Sequence, residues 1–254
     1  MRSILATLLL LILATASLSQ VKKPEPAPVK PTFERSQQIV VVTTNDWGSV
    51  SGTARLFERK NEREDWKAVG DSFPVVVGRN GLAWDSSGMP NPKASKIKHE
   101  GDGSAPAGLF PLTTTFGIGV KPNEVELPYT RLDKFTECVD DVNSSHYNKI
   151  VNRVQVGNFD WKSSEKMLNV MPEYELGAFV AYNTYPVQRG NGSCIFLHIW
   201  KDAATGTAGC TAMERRHLER IVGWLAADKN PYLVQMVKSD YDHIRKIWKL
   251  PKIK

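Results

Sequence analysis

Apolar and polar positions along this chain fall into short blocks bounded by turn residues, the pattern of a β-rich domain. Gln38 to Thr44 is a β-branched run, and Gly52 to Glu58 alternates. Phe73 to Gly78 is Val-rich and ends at Arg79-Asn80-Gly81, where the Asn-Gly pair predicts a tight turn over Arg79 to Leu82. Ala178 to Asn183, Ser193 to Trp200 and Tyr232 to Val237 read as further strands, the second of them apolar enough to be buried on both faces. Met213, Leu218, Ile221, Val222 and Leu225 recur at helical spacing and predict a helix between Met213 and Asp228. Tyr241 to Trp248 reads as a short helix or ordered tail. His99 to Phe116 carries Gly101, Gly103, Pro106, Gly108 and Pro111 in quick succession, which forbids a long helix and predicts a shaped loop leading into Leu112 to Thr115.

The start of the chain follows different rules. Met1-Arg2-Ser3 supplies a positive end, Ile4 to Leu13 is an apolar run short for a bilayer, and Ala14-Thr15-Ala16 is a small-x-small cleavage signal. Residues 1–19 therefore read as a secretory signal peptide, with an uncleaved anchor as the rival, and no membrane span is expected after cleavage. Residues 20–36 mix Pro with Lys, Glu, Ala and Val, offer no apolar face and read as an extended spacer. A single folded domain is expected over 37–254. Export to the periplasm or cell envelope follows from this reading.

With 254 residues, 41% hydrophobic and 24% charged, the chain can bury a full core. The formal charge of +6 suits anionic surroundings such as acidic wall polymer. Much of the excess sits at Lys22, Lys23 and Lys30 and at Arg245, Lys246, Lys249, Lys252 and Lys254, which read as solvated ends. Export removes nucleic acid from consideration, and the Gly-rich loop lacks the phosphate-cradling signature. No His/Cys cluster has zinc-ligand spacing, so neither metal nor cofactor is expected.

Candidate chemistry concentrates near the C-terminal third. His198 ends a strand-like run and Cys210 follows 12 positions later in Thr207-Ala208-Gly209-Cys210, a glycine-flanked turn before the predicted helix. A thiol is mostly protonated at neutral pH, so a catalytic one needs an imidazole or a helix N-terminus nearby to form thiolate. Here the sequence offers both. Backbone N–H groups of that turn could then hold the oxyanion of an acyl intermediate, with Gly206 and Gly209 letting the backbone approach the substrate carbonyl. Three cysteines in an exported chain leave one unpaired, and the sequence does not choose among the three pairings. If Cys210 is the reactive thiol, Cys138 with Cys194 is the remaining couple. Asp140 and Asp141 could orient His198 or bind a substrate amine, Tyr182 and Asn183 could line the cleft, and Trp200 could stack on substrate. His99 beside Glu100 is a weaker acid–base candidate.

The segment His99-Glu100-Gly101-Asp102-Gly103-Ser104-Ala105-Pro106-Ala107-Gly108-Leu109-Phe110, together with His198 and Thr207-Ala208-Gly209-Cys210, resembles the L,D-transpeptidase (YkuD-type) catalytic domain. Cys138-Val139-Asp140-Asp141 with Gly192 to Trp200 is similar to an exported bacterial branch. The resemblance implies a mainly β fold with a few helices, a sandwich or barrel with the catalytic cysteine in a turn before a helix. It also implies acyl transfer on peptidoglycan stem peptides in cell wall biogenesis and cell shape. Cys210 would be the nucleophile, His198 the general base and acid, and Gly209 with the Cys210 N–H the oxyanion site; separately, the protein is expected to be a monomer. Ala212 stands where the family usually has Arg, and Ile199 follows His198 in place of Gly. The lost guanidinium removes a ligand for a substrate carboxylate. That opens two alternatives: an L,D-carboxypeptidase or endopeptidase using water as acceptor, or a non-catalytic wall-binding module.

Overall fold

The computed structural model describes residues 32–85, 91 and 94–253; the expected signal peptide and most of the expected spacer lie outside the described residues. The last part of that spacer belongs to the domain. Phe33 packs edge-on against Tyr232 and stacks near Trp66, while the buried Arg59 guanidinium binds the carbonyls of Ser36 and Glu34.

Strand β1 (Gln38–Thr44) is the β-branched run, paired antiparallel with β2 (Ser51–Glu58), which in turn pairs with β3 (Lys67–Val76). On its other side β1 lies parallel to β13 (Tyr232–Val237), with Ile39 opposite Tyr232 and Thr44 opposite Val237. Next to β13 runs β5 (Ala105–Gly117), a strand of 13 residues. The loop expected over His99 to Phe116 therefore ends by Ser104. Both prolines sit where β5 needs no donor from them: Pro106 is on the rung shared with Ala83 of β4 (Leu82–Trp84), and Pro111 falls where β5 changes partners. Beyond Pro111 it pairs with β10 (Leu176–Val180) and on its other flank with β6 (Tyr129–Arg131).

The exchange of partners closes the sheet. From β10 the ladder passes to β11 (Phe196–Ile199), then in parallel to β12 (Thr211–Met213), and from β12 back to β3. The ring β1, β2, β3, β12, β11, β10, β5 and β13 is a barrel, with β4 and β6 appended to β5, so the fold is mainly β as expected. Closure leaves these strands without free edges, and both faces are buried: Val40, Leu56 and Leu233 pair on one, Ile39, Phe57 and Tyr232 on the other.

Among the described residues three α-helices complete the domain: α1 (Arg153–Val156), α2 (Arg215–Trp224) and α3 (Lys238–Ile244). The periodic residues Leu218, Ile221 and Val222 of α2 are fully buried on the outside of β10 and β11, and each such side chain contributes about 2 kcal/mol of burial. Residues between β6 and β10 form an excursion with its own three-stranded sheet, β8 (Ile150–Asn152), β7 (Thr136–Cys138) and β9 (Glu165–Lys166). It is held by Glu137, whose buried carboxylate binds Arg153, Trp161, Ser164 and Lys166. Burial pushes that carboxyl up, but these four donors outweigh it and bring it down to about 2.

Candidate active site

The parallel pairing of β11 with β12 places the two candidate residues. Leu197 lies opposite Thr211 and His198 opposite Ala212, so Cys210, one residue before β12, sits beside Phe196 and projects to the same face as His198. The two are separated by two strand positions, about 6.6 Å of backbone at ~3.3 Å per residue. Phe196 N–H donates to the Cys210 sulfur at 3.3 Å, and the thiol faces the Cys194 carbonyl at 3.5 Å. Both side chains line one cavity of about 500 Å³.

Cys210 is the free cysteine; Cys138 and Cys194 form a disulfide with an S–S distance of 2.09 Å. That bond ties β7 of the excursion to the residue whose carbonyl touches the Cys210 thiol. One bridge thus joins the cavity's two walls.

The loop carrying Cys210 is fastened to the turn after β3. Arg79 N–H binds the Thr207 carbonyl at 2.8 Å, and Thr207 N–H binds the Val77 carbonyl at 2.9 Å. Neither Gly78 nor Gly206 has room for a side chain there: a Cβ on Gly78 would lie 2.4 Å from the Gly103 carbonyl oxygen, and one on Gly206 would lie 2.6 Å from Arg79 Cα. Asp102 organises the adjoining loop, accepting from Ser104 N–H and His99 N–H and pairing at 2.7 Å with the buried ammonium of Lys98. That pair sets Lys98 at the cavity wall.

Gly209 N–H donates to Thr207 Oγ1, and the same hydroxyl donates to the Cys210 carbonyl. One of the two expected oxyanion donors is therefore committed within its own turn. The expected helix dipole does not reach the thiol either. Thr211 to Met213 form β12 and α2 starts only at Arg215, because Met213, which fits the helical period, is buried in the barrel wall instead.

Electrostatics at rest keep the pair neutral. Burial above all, with the Glu165 carboxyl next, pushes the Cys210 thiol up to about 12, against Phe196 N–H, the Tyr174 hydroxyl and Lys98. Burial brings His198 down to about 4, although the Ile199 carbonyl and Glu173 favour its charged form. Both shifts favour the neutral thiol and imidazole at rest, the direction opposite to that expected for an ionised sulfur. The imidazole is nonetheless set up as a base. Its Nδ1 lies 2.7 Å from the Ile199 carbonyl, which can only accept, so Nδ1 carries the proton and Nε2 presents a lone pair.

Other sequence candidates separate. Asp140 lines the cavity, whereas Asp141 accepts from Asn143 and Lys162 N–H groups and closes a turn. Tyr182 and Asn183 lie past the end of β10 and away from the cavity. Tyr182 packs edge-on against Phe110, and Asn183 binds the carbonyls of Gln188 and Gly192. Trp200 also stands outside the lining, and His99 hydrogen-bonds the Glu100 carbonyl at the surface. Glu100 itself does face the cavity, with Glu165, Glu173 and Tyr174. Sequence reasoning assigned no role to Tyr174 or Glu165, which precede Cys210 by 36 and 45 residues and carry no local signal. Among the described residues no group of three or more His, Cys, Asp and Glu side chains is placed to hold a metal, and no helix is long and apolar enough to cross a membrane.

The family model of the L,D-transpeptidase catalytic domain, YkuD, matches residues 50–235 of the chain. The chain belongs to this family. The matched span runs from the start of β2 into β13 and contains every residue of the cavity, leaving β1 and α3 outside it. No curated protein and no solved structure shows significant similarity to the chain. As a member of the L,D-transpeptidase family the protein functions on peptidoglycan, and its barrel is the fold that carries that domain.

Proposed function

We propose that the protein is an exported L,D-transpeptidase acting as a monomer in the cell envelope, with Cys210 as nucleophile and His198 as general base and acid. The observation that carries this is the placement of the free thiol on the same strand face and in the same cavity as an imidazole whose Nδ1 is held by a backbone carbonyl. In the first half-reaction the thiol proton passes to His198 Nε2 as the sulfur attacks the carbonyl of the stem's diamino acid. The carbon–nitrogen bond to the terminal D-amino acid then breaks, and its nitrogen takes the proton from His198. In the second, an acceptor amine attacks the thioester, gives its proton to Nε2, and the sulfur leaves to be reprotonated. The Cys210 N–H serves the oxyanion in this scheme, the Gly209 N–H being already bonded. Since the resting pair is neutral, ionisation accompanies substrate attack, when bound substrate displaces water from the cavity.

Ala212 supports a second reading. It is the ladder partner of His198 and lines the cavity with only a methyl group, where the family usually has Arg. Water as acceptor would then give an L,D-carboxypeptidase or endopeptidase. Incubation of purified wall fragments with the protein and with Cys210→Ala, followed by mass spectrometry, decides. New crosslinks made by the wild type alone establish transpeptidation, and shortened stems establish hydrolysis. Identical products from both proteins refute both and leave a wall-binding module. His198→Ala should reduce kcat at least ~10³-fold.

A further inference from the structure

Cys210 has a polar neighbour besides His198. Tyr174, in the segment between β9 and β10, is buried against Phe116, Phe196 and His198, with its ring centroid 5.3 Å from the imidazole. It belongs to the same buried cluster as Cys210 and lines the same cavity, and its hydroxyl favours the thiolate. The same hydroxyl donates at 2.8 Å to Oε2 of Glu165, a residue of β9 that shares the cavity with Cys210. A phenol has one proton to give. While Glu165 is a carboxylate that proton is held by the carboxylate, and once Glu165 is protonated its own O–H can donate to the phenol oxygen and free the phenol proton for the sulfur.

We propose that Glu165 and Tyr174 form a two-state hydrogen-bond relay to the nucleophile, open toward sulfur when Glu165 is protonated and turned away from it when Glu165 is ionised. The inference rests on the reading of Cys210 as nucleophile. Tyr174 is then a catalytic residue, touching the reacting sulfur, and Glu165 a positioning residue acting through it. The thiol proton still goes to His198 Nε2; Tyr174 keeps its own.

The relay switches near neutrality. Burial first, then the carboxylates of Asp140 and Glu100, push the Glu165 carboxyl up to about 7 against the hydrogen bond from Tyr174. The other charged groups facing the site are Lys98 toward the sulfur and Glu173 toward His198. Below about 7 the sulfur gains a donor and loses a neighbouring negative charge; above it both effects reverse. Ionisation of Glu165 therefore raises the thiol's pKa, and each unit is tenfold in thiolate.

The test is the rate of iodoacetamide alkylation against pH. Cys210 is the one thiol that can react, the other two cysteines being bonded to each other. In the wild type the logarithm of the rate should rise with pH, show a shoulder near 7 and resume. Glu165→Gln, fixed in the neutral form, should lose the shoulder, matching wild type at about pH 5.5 and exceeding it roughly tenfold at about pH 8.5. Tyr174→Phe should react more slowly than wild type below the shoulder and converge on it above. A Glu165→Gln profile that superimposes on wild type overturns the relay; if that variant does not fold, by circular dichroism, a Tyr174→Phe profile that superimposes does so instead. Alkylation needs no wall substrate. A lost shoulder in Glu165→Gln with no Cys210-dependent change in wall fragments supports the relay while refuting acyl transfer; an unchanged shoulder with active enzyme does the reverse.

Discussion

Replacing both Cys138 and Cys194 by alanine removes the bridge without leaving a spare thiol to exchange with Cys210. The bridge closes a loop spanning 56 residues of sequence separation. In the chain-entropy account a loop of that length constrains the unfolded chain by about 4 kcal/mol. Both cysteines are buried, in a cluster with Phe116, Met167, Tyr174 and Phe196, so each lost sulfur adds a small cavity cost on top. For a domain of this size about 4 kcal/mol corresponds to a fall in Tm of roughly 8 to 16 °C. Differential scanning calorimetry of wild type and double variant measures it, and urea titration gives the free energy independently. The same loss should appear in wild type under a reductant strong enough to open the bridge. A fall of less than about 3 °C would refute the argument, because the excursion would then be held to the barrel by packing alone.

Glu137→Gln should cost about 2 kcal/mol, as four donors lose a charged acceptor. In the wild type the folded carboxyl titrates at about 2 against an ordinary 4.5, so its contribution is complete above about pH 4.5 and disappears as pH falls through about 2; the Trp161 indole N–H resonance reports the loss. Gly78→Ala should destabilise the domain by roughly 2 kcal/mol and slow any Cys210-dependent reaction, because its Cβ meets the Gly103 backbone, whereas Gly119→Ala, with nothing within 4 Å, should leave both unchanged in melting and alkylation assays. Loss of wall chemistry in His198→Ala and the pH profile of Glu165→Gln complete the set.

What the sequence made legible was whatever a local pattern encodes. The runs Gln38–Thr44 and Tyr232–Val237 are strands at the bounds read from sequence, because all their residues but the half-buried Thr43 are buried and neither contains a turn former. The motif residues His198 and Cys210 do share a face, since a parallel ladder joins the two short strands that carry them. Strand β5 was hidden by Pro106, Gly108 and Pro111, whose cost is removed only by the partner exchange along that strand. The sheet of β7, β8 and β9 is built from strands of two or three residues, too short for any period to register. Tyr174 and Glu165 were invisible for the same reason, as the excursion alone brings them to the sulfur. Trp200, Tyr182 and Asn183 stood next to the motif in sequence, but alternation and chain direction turn them elsewhere.

Strand β13 comes near the C-terminal end of the chain, yet it lies in the middle of the ladder, between β1 and β5. During synthesis the barrel cannot shut until Tyr232 to Val237 emerge, and until then two long, apolar strands wait with open sides. The loop that bears the sulfur and the β3 turn that fastens it are made earlier, and Thr211 beside it waits for its hydrogen-bond partner Gln235. A chain that lacks β13 thus carries open strand sides that favour self-association, and that hazard ends with the arrival of the same six residues.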